Sequence, residues 1–108
     1  MTLLDLYNTL LQVGITVAHY EAELDEYPYI TYQEIATTYQ HGSGHPWRED
    51  VAVEVVHFTQ KEFDPTLEKL KYELHKSNIS FTIAHGYDPD EKVIINQFAL
   101  TITRDLEH

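Results

Sequence analysis

Cysteine is absent from the 108 residues, which excludes a disulfide scaffold, thiol catalysis and cysteine-ligated zinc. A chain of this length buries roughly two thirds of its unfolded surface, so it needs neither metal nor cross-link to fold as one domain. Basic residues are scarce. Seven lysines and arginines stand against 18 aspartates and glutamates, a formal charge of −11. A field of that sign repels phosphate backbones and disfavours sequence-specific DNA or RNA binding; it also keeps a small protein soluble. Long hydrophobic runs are missing too. The apolar stretch from Leu3 to Val13 is too short to cross a bilayer and contains Asp5 and Asn8. Without a basic leader or small-residue cleavage site it does not read as a signal peptide. The expectation is a soluble intracellular protein with no membrane partner. Leu106-Glu107-His108 looks like the start of a vector-encoded polyhistidine tail, so the single domain is assigned to residues 1–105.

Several chemical signatures are missing as well. Ser43, Ser77 and Ser80 are the only serines, and none lies in a nucleophile-elbow sequence. Gly42 and Gly44 are followed by His-Pro-Trp rather than by a lysine-bearing helix, so there is no phosphate cradle. The carboxylates Glu21, Glu23, Asp25 and Glu26, and later Asp88, Asp90 and Glu91, lack the spacing of a calcium loop and read as solvated loops. No cofactor and no enzyme activity are expected.

What is present is a sequence of well-marked elements. Leu3, Leu4, Tyr7, Leu10 and Leu11 recur at helical spacing. Thr2 with Asp5 forms a capping-box pattern and Gly14 suits a helix end, predicting a helix over 2–13. Ile15 to Tyr20 reads as a short strand and Tyr29 to Tyr39 as a long one, with imperfect alternation that predicts a bulge or an end beyond the main sheet. His41-Gly-Ser-Gly-His45-Pro-Trp47 is the clearest loop by composition. Val51 to Thr59 is a strand apolar on both faces. Such a strand is covered by helices on one side and by something else, a partner subunit among the options, on the other.

Asp64-Pro65 is a strong helix start. Leu67, Leu70, Lys71 and Leu74 form one stripe, and Ser77-Asn78 ends the helix. Ile79, Phe81 and Ile83 alternate with polar or small residues, and Val93 to Thr103 is a last long strand after a turn-rich stretch from Gly86 to Glu91. The predicted fold is α+β, with a mostly antiparallel sheet of four to five strands. Two helices pack on one face, in the order α-β-β-β-α-β-β.

Candidate site residues are few. His41 and His45 flank Gly-Ser-Gly, and His57 lies one strand later. A metal site or a small metal-dependent hydrolase would need these rings to converge, and a glycine-rich spacer orients neither of the first two. They read as loop histidines. Tyr20, Tyr27, Tyr29, Tyr32, Tyr39 and Trp47 crowd the first half of the chain, and stiff amphipathic aromatics suit both β-strands and interfaces. Lys61, Lys69, Lys71 and Lys76 gather on and just before the second helix in an otherwise acidic chain, a charge match for a neighbouring copy. Tyr29, Tyr32, Tyr39, His41, Trp47, Lys61 and Lys69 are the residues assigned to an interface.

From Tyr27 onward the pattern resembles the tail-completion proteins (tail terminator, head–tail joining or minor tail components) of bacteriophages and prophages of Gram-positive hosts. The matching pieces are Tyr27-Pro-Tyr-Ile-Thr-Tyr32 and Val51-Ala-Val-Glu-Val-Val-His-Phe-Thr-Gln-Lys61, then Leu67-Glu-Lys-Leu70, Ile79-Ser-Phe81 and Asp88 to Thr103. The resemblance covers most of the chain and rests on ordered hydrophobic patterns. It implies a structural protein with no catalytic residues, a monomer in solution that forms a hexameric ring on assembly. Its partners are itself, the tail-tube protein and a head connector. Its place is the host cytoplasm first and the virion tail afterwards. The rival reading is an acidic protein that mimics nucleic acid and inhibits an enzyme. A regular acidic sheet face is what it requires.

Overall fold

The computed structural model describes residues 2–20, 27–42 and 44–106. The chain is α+β, with two helices and one five-stranded sheet in the order α1 (Leu3–Leu11), β1 (Thr16–His19), β2 (Tyr29–Gly42), β3 (His45–Thr59), α2 (Pro65–Lys76), β4 (Phe81–Asp88), β5 (Val93–Asp105).

Both helices start where their capping residues stand. Thr2 accepts from the Asp5 N–H, and the Asp5 carboxylate accepts from the Thr2 N–H at 2.8 Å, closing the capping box. Asp64 caps α2 through the Thr66 N–H, with Pro65 at the first helical position. Ser77 caps the end of α2 and Asn78 takes the left-handed conformation. Gly14 has a positive φ as well, two residues past the Gln12 cap of α1.

Strands lie in the order β1-β2-β3-β5-β4. β2/β3, β3/β5 and β5/β4 are antiparallel, but β1 runs parallel to β2, so the sheet is mixed. β2 begins level with the start of β1, Tyr29 standing opposite Thr16. The composition between the two strands marks a loop but carries no direction, which is why a hairpin was the natural expectation there. The carboxylates Glu21, Glu23, Asp25 and Glu26 of this connection lie outside the described residues.

A second correction concerns the 41–47 stretch. β2 runs on to Gly42 and β3 resumes at His45, with His41 opposite Pro46 and Gly42 opposite His45. Between the two strands only Gly44, with a positive φ, is described; Ser43 lies outside the described residues. Pro46 is tolerated because the β3–β5 ladder starts only at Arg48, leaving it at a strand end. Register shifts between Glu34 and Ala36 and between Gln40 and His41 account for the imperfect alternation of β2.

The core lies between the helices and one sheet face. Leu6, Leu10, Leu70 and Leu74 meet Ile30, Val53, Val55, Phe98, Leu100 and Ile102. Removing that apolar surface from water, at about 25 cal/mol per Å², is the main force holding the layers together. The molecule is elongated, 52 × 25 × 22 Å, because β2 and β3 continue past the helices. A cleft lined by Thr2, Leu3, Thr37, Glu49 and Arg104 marks where the start of α1 reaches the sheet. Beyond it the strands form an arm.

Candidate functional site

Alternation along β3 gives the sheet its two characters. Val53 and Val55 face the helices, whereas Ala52, Glu54 and Val56 face the other way. No described helix covers that second face. Its central part is a broad open groove of about 1040 Å³, with Ile35, Ala52, Thr82, Ala84, Ala99 and Thr101 among its walls. Small side chains leave the backbone pleats close to the surface there. Glu54 is the one charged residue lining the groove among the described residues. Asp50, further along the same face, is held by Arg48 at 2.9 Å and by the Thr103 hydroxyl at 2.8 Å. Those two contacts, Arg48 first, keep its carboxyl below the usual range. The described part of the face is therefore built of alanine, threonine and glutamine rather than of a regular row of carboxylates.

The arm carries exposed aromatics. Tyr39 and Trp47 are partly exposed, and Ile35 beside the register shift is 57% exposed. The indole of Trp47 lies over Gly42. A Cβ added at Gly42 would stand 3.1 Å from Trp47 Cδ1. Near the base of the arm Arg104 pairs with Glu49 at 3.6 Å, and the Glu49 carboxylate, accepting from the Tyr39 hydroxyl, raises the Tyr39 pKa. The Leu106 N–H donates to the Trp47 carbonyl at 2.8 Å, extending the ladder past β5, while Glu107 and His108 lie outside the described residues.

The interface residues expected from sequence fall in three places. Tyr39, His41 and Trp47 share the arm. Tyr29 and Tyr32 are 8% and 7% exposed, so the fold itself occupies them. Tyr29 stacks on Phe58 with centroids 4.8 Å apart, and Tyr32 packs between His19 and Tyr7. Lys61 and Lys69 are exposed near the start of α2, whereas Lys71 and Lys76 pair within the helix with Glu68 and Glu73.

The three histidines considered for metal do not meet. His41 and His45 sit at the arm tip, and His57 lies 12 residues along β3 from His45, roughly 40 Å of extended strand. His57 is fully buried and belongs to a polar chain that sequence spacing does not reveal. Thr59 and Thr66 both donate to the Asp64 carboxylate, at 2.6 and 2.8 Å. Since the Thr66 hydroxyl gives its proton to Asp64, its oxygen accepts from His57 Nε2–H at 2.8 Å. His57 Nδ1 then accepts from the Asn96 amide at 3.4 Å, and Asn96 Oδ1 accepts from His85 Nδ1–H at 2.7 Å. The chain runs from exposed His85 through the core to the α2 cap.

Burial holds the His57 pKa below its ordinary value, outweighing the attraction of Asp64. Burial pushes Asp64 up, but hydrogen bonds from Thr59 and Thr66 outweigh it and keep the carboxyl low. Near the start of α1, on the same sheet face, Glu34 is also held low. There the contacts from His19 and Tyr20 outweigh its burial. Comparison with protein-family models and with curated proteins finds no match for this chain.

Proposed function

We propose that this protein is structural and works by assembling with copies of itself, as a tail-completion or head–tail joining component of a tailed phage. The observation that supports it best is the sheet face left without described helices: a wide groove whose described lining is apolar or polar and uncharged, with Glu54 as its one charge, in a chain of charge −11. The arm with Tyr39 and Trp47 supports the same reading, because stiff aromatics at the end of an extended hairpin give large contact area at low entropic cost. On assembly the copies form a ring, hexameric by the resemblance, against the tail-tube protein on one side and a head connector on the other. The protein passes from the host cytoplasm to the virion tail. An acidic bore would then keep passing DNA from adhering.

The test is the mass of the purified protein by light scattering, alone and mixed with tail-tube protein from the same genome. A ring alone, or a stable complex on mixing, is the expected outcome. A protein that stays monomeric in both conditions overturns the proposal.

A further inference from the structure

The register carries single rows of residues across all five strands. One row is Ala18, Thr31, Val56, Gln97 and Ala84; its neighbour is Val17, Ile30, His57, Asn96 and His85. The two edges of the sheet, β1 and β4, are therefore level with each other on opposite sides of the molecule. Their directions follow from the pairings. β1 and β2 run one way, β3 the opposite way, β5 with β2, and β4 with β3. So β1 and β4 are antiparallel.

A second copy turned about an axis parallel to the strands keeps all these directions. Its β1 meets β4 of the first copy antiparallel and in row, with no slide along the strands and with the helices of both copies on the same side. The edges suit such a contact chemically. Sheet edges are ordinarily guarded by charge, proline, bulges or brevity. Phe81 to Tyr87 of β4 contains no charged residue and no proline and pairs with β5 without a register shift. Thr16 to His19 of β1 contains no Asp, Glu, Lys or Arg either, and its four residues limit the contact to that short run of rows. Copies that each carry −11 repel least where they touch through uncharged segments.

We infer that β4 of one copy pairs antiparallel with β1 of the next, with Ala84 opposite Ala18, His85 opposite Val17 and Ile83 opposite His19. This rests on the self-assembly reading and gives it a specific contact. The two edges are different patches, so the contact is heterologous and propagates to a ring or a filament instead of stopping at a dimer. The occupant of the β4 edge is thus a second copy of this chain.

Cysteine scanning tests it without background, since the chain has no cysteine. Within one copy Ala18 and Ala84 are four strand spacings apart, roughly 19 Å, well beyond the about 7 Å limit for Cα atoms bridged by a disulfide. Any disulfide between these positions joins two copies. Oxidising the full-length A18C/A84C variant should give a ladder of dimers, trimers and larger species on non-reducing gels, and mixing the two single variants should give an 18–84 disulfide dimer, while each single variant alone stays monomeric. Ala84→Asp, with folding checked by circular dichroism, should raise the concentration at which copies associate at least tenfold by sedimentation. If the unmodified protein assembles but the double variant gives no ladder and Ala84→Asp leaves association unchanged, the edge pairing is wrong while self-assembly stands. A protein that is monomeric both alone and with tail-tube protein overturns the two together.

Discussion

His57 Nε2 lies 2.8 Å from Thr66 Oγ1, tying the middle strand of the sheet to the first turn of α2 through an imidazole with no exposed surface. The hydroxyl it contacts already gives its proton to the Asp64 cap, so the ring must be the donor at this nitrogen. Its other nitrogen faces the amide of Asn96. In the charged imidazolium the Nδ1–H would face the Asn96 amide N–H, donor against donor, in a low-dielectric setting.

Acid sensitivity follows. The folded His57 pKa lies below the ordinary value, so the unfolded chain binds the proton first as pH falls. Stability should be at its plateau above the unfolded pKa of about 6.5 and decline as pH drops below it. Asp64 and Glu34 act in the other window. Their carboxyls are held low, so their contribution is present above the ordinary carboxylate range and lost as pH falls through their folded values. Urea titrations from pH 7.5 to 4 should therefore show an early decline in the wild type that His57→Gln lacks. An identical profile in the variant would exclude His57 as the cause.

Asn96 is 2% exposed and contacts two histidines. Asn96→Leu fits an apolar side chain to the site but leaves His57 Nδ1 with no donor. Leaving a buried acceptor unmet costs about 1–3 kcal/mol, measurable as a lower urea midpoint at unchanged slope. Asn96→Asp should be worse at neutral pH, because it buries a charge beside the ring.

The Trp47 indole leaves no room for a side chain at Gly42. Trp47 is the only tryptophan, so its fluorescence reports on the arm alone. Gly42→Ala places a methyl 3.1 Å from Cδ1 and should displace the ring, giving a red-shifted, more quenchable emission with little change in the melting temperature of the distant core. An unchanged spectrum would mean that the backbone yields instead of the indole.

Phe63 is 97% exposed and holds a positive φ of 56°. A bulky residue in that region is strained, at a cost of order 1–3 kcal/mol, and nothing described packs on the ring. Phe63→Gly should raise stability by about 0.5–1 kcal/mol after the added unfolded-state entropy is subtracted. Thermal melts compared at one pH check this. A lower melting temperature would show that the ring stabilises the fold in a way its exposure hides.

Much of the fold was legible in local chemistry. Thr2 with Asp5, Asp64 with Pro65, and Asn78 announce the helix ends because caps satisfy backbone groups within three residues of themselves. The alternation in β3 and β5 separates the two sheet faces for the same reason: side chains two apart share a side whatever the partner strand is. The arm was not legible. Gly, Ser, His and Pro between 41 and 47 suggest a loop, and only pairing across the β2–β3 ladder shows that most of them are strand. The fate of the tyrosines was equally hidden, since composition cannot tell Tyr29 and Tyr32, which the core takes, from Tyr39, which it leaves outside.

By itself, then, the sequence determined the order and type of the elements, the acidic charge and the lack of thiol chemistry. These depend on residue identity and near neighbours alone. Only the tertiary structure decided that β1 lies parallel to β2, that β5 separates β3 from β4, and that His57, Asn96 and His85 fall in one row. Each joins residues far apart in the chain, and what brings them together is the burial of one sheet face beneath two helices, a property of the whole molecule.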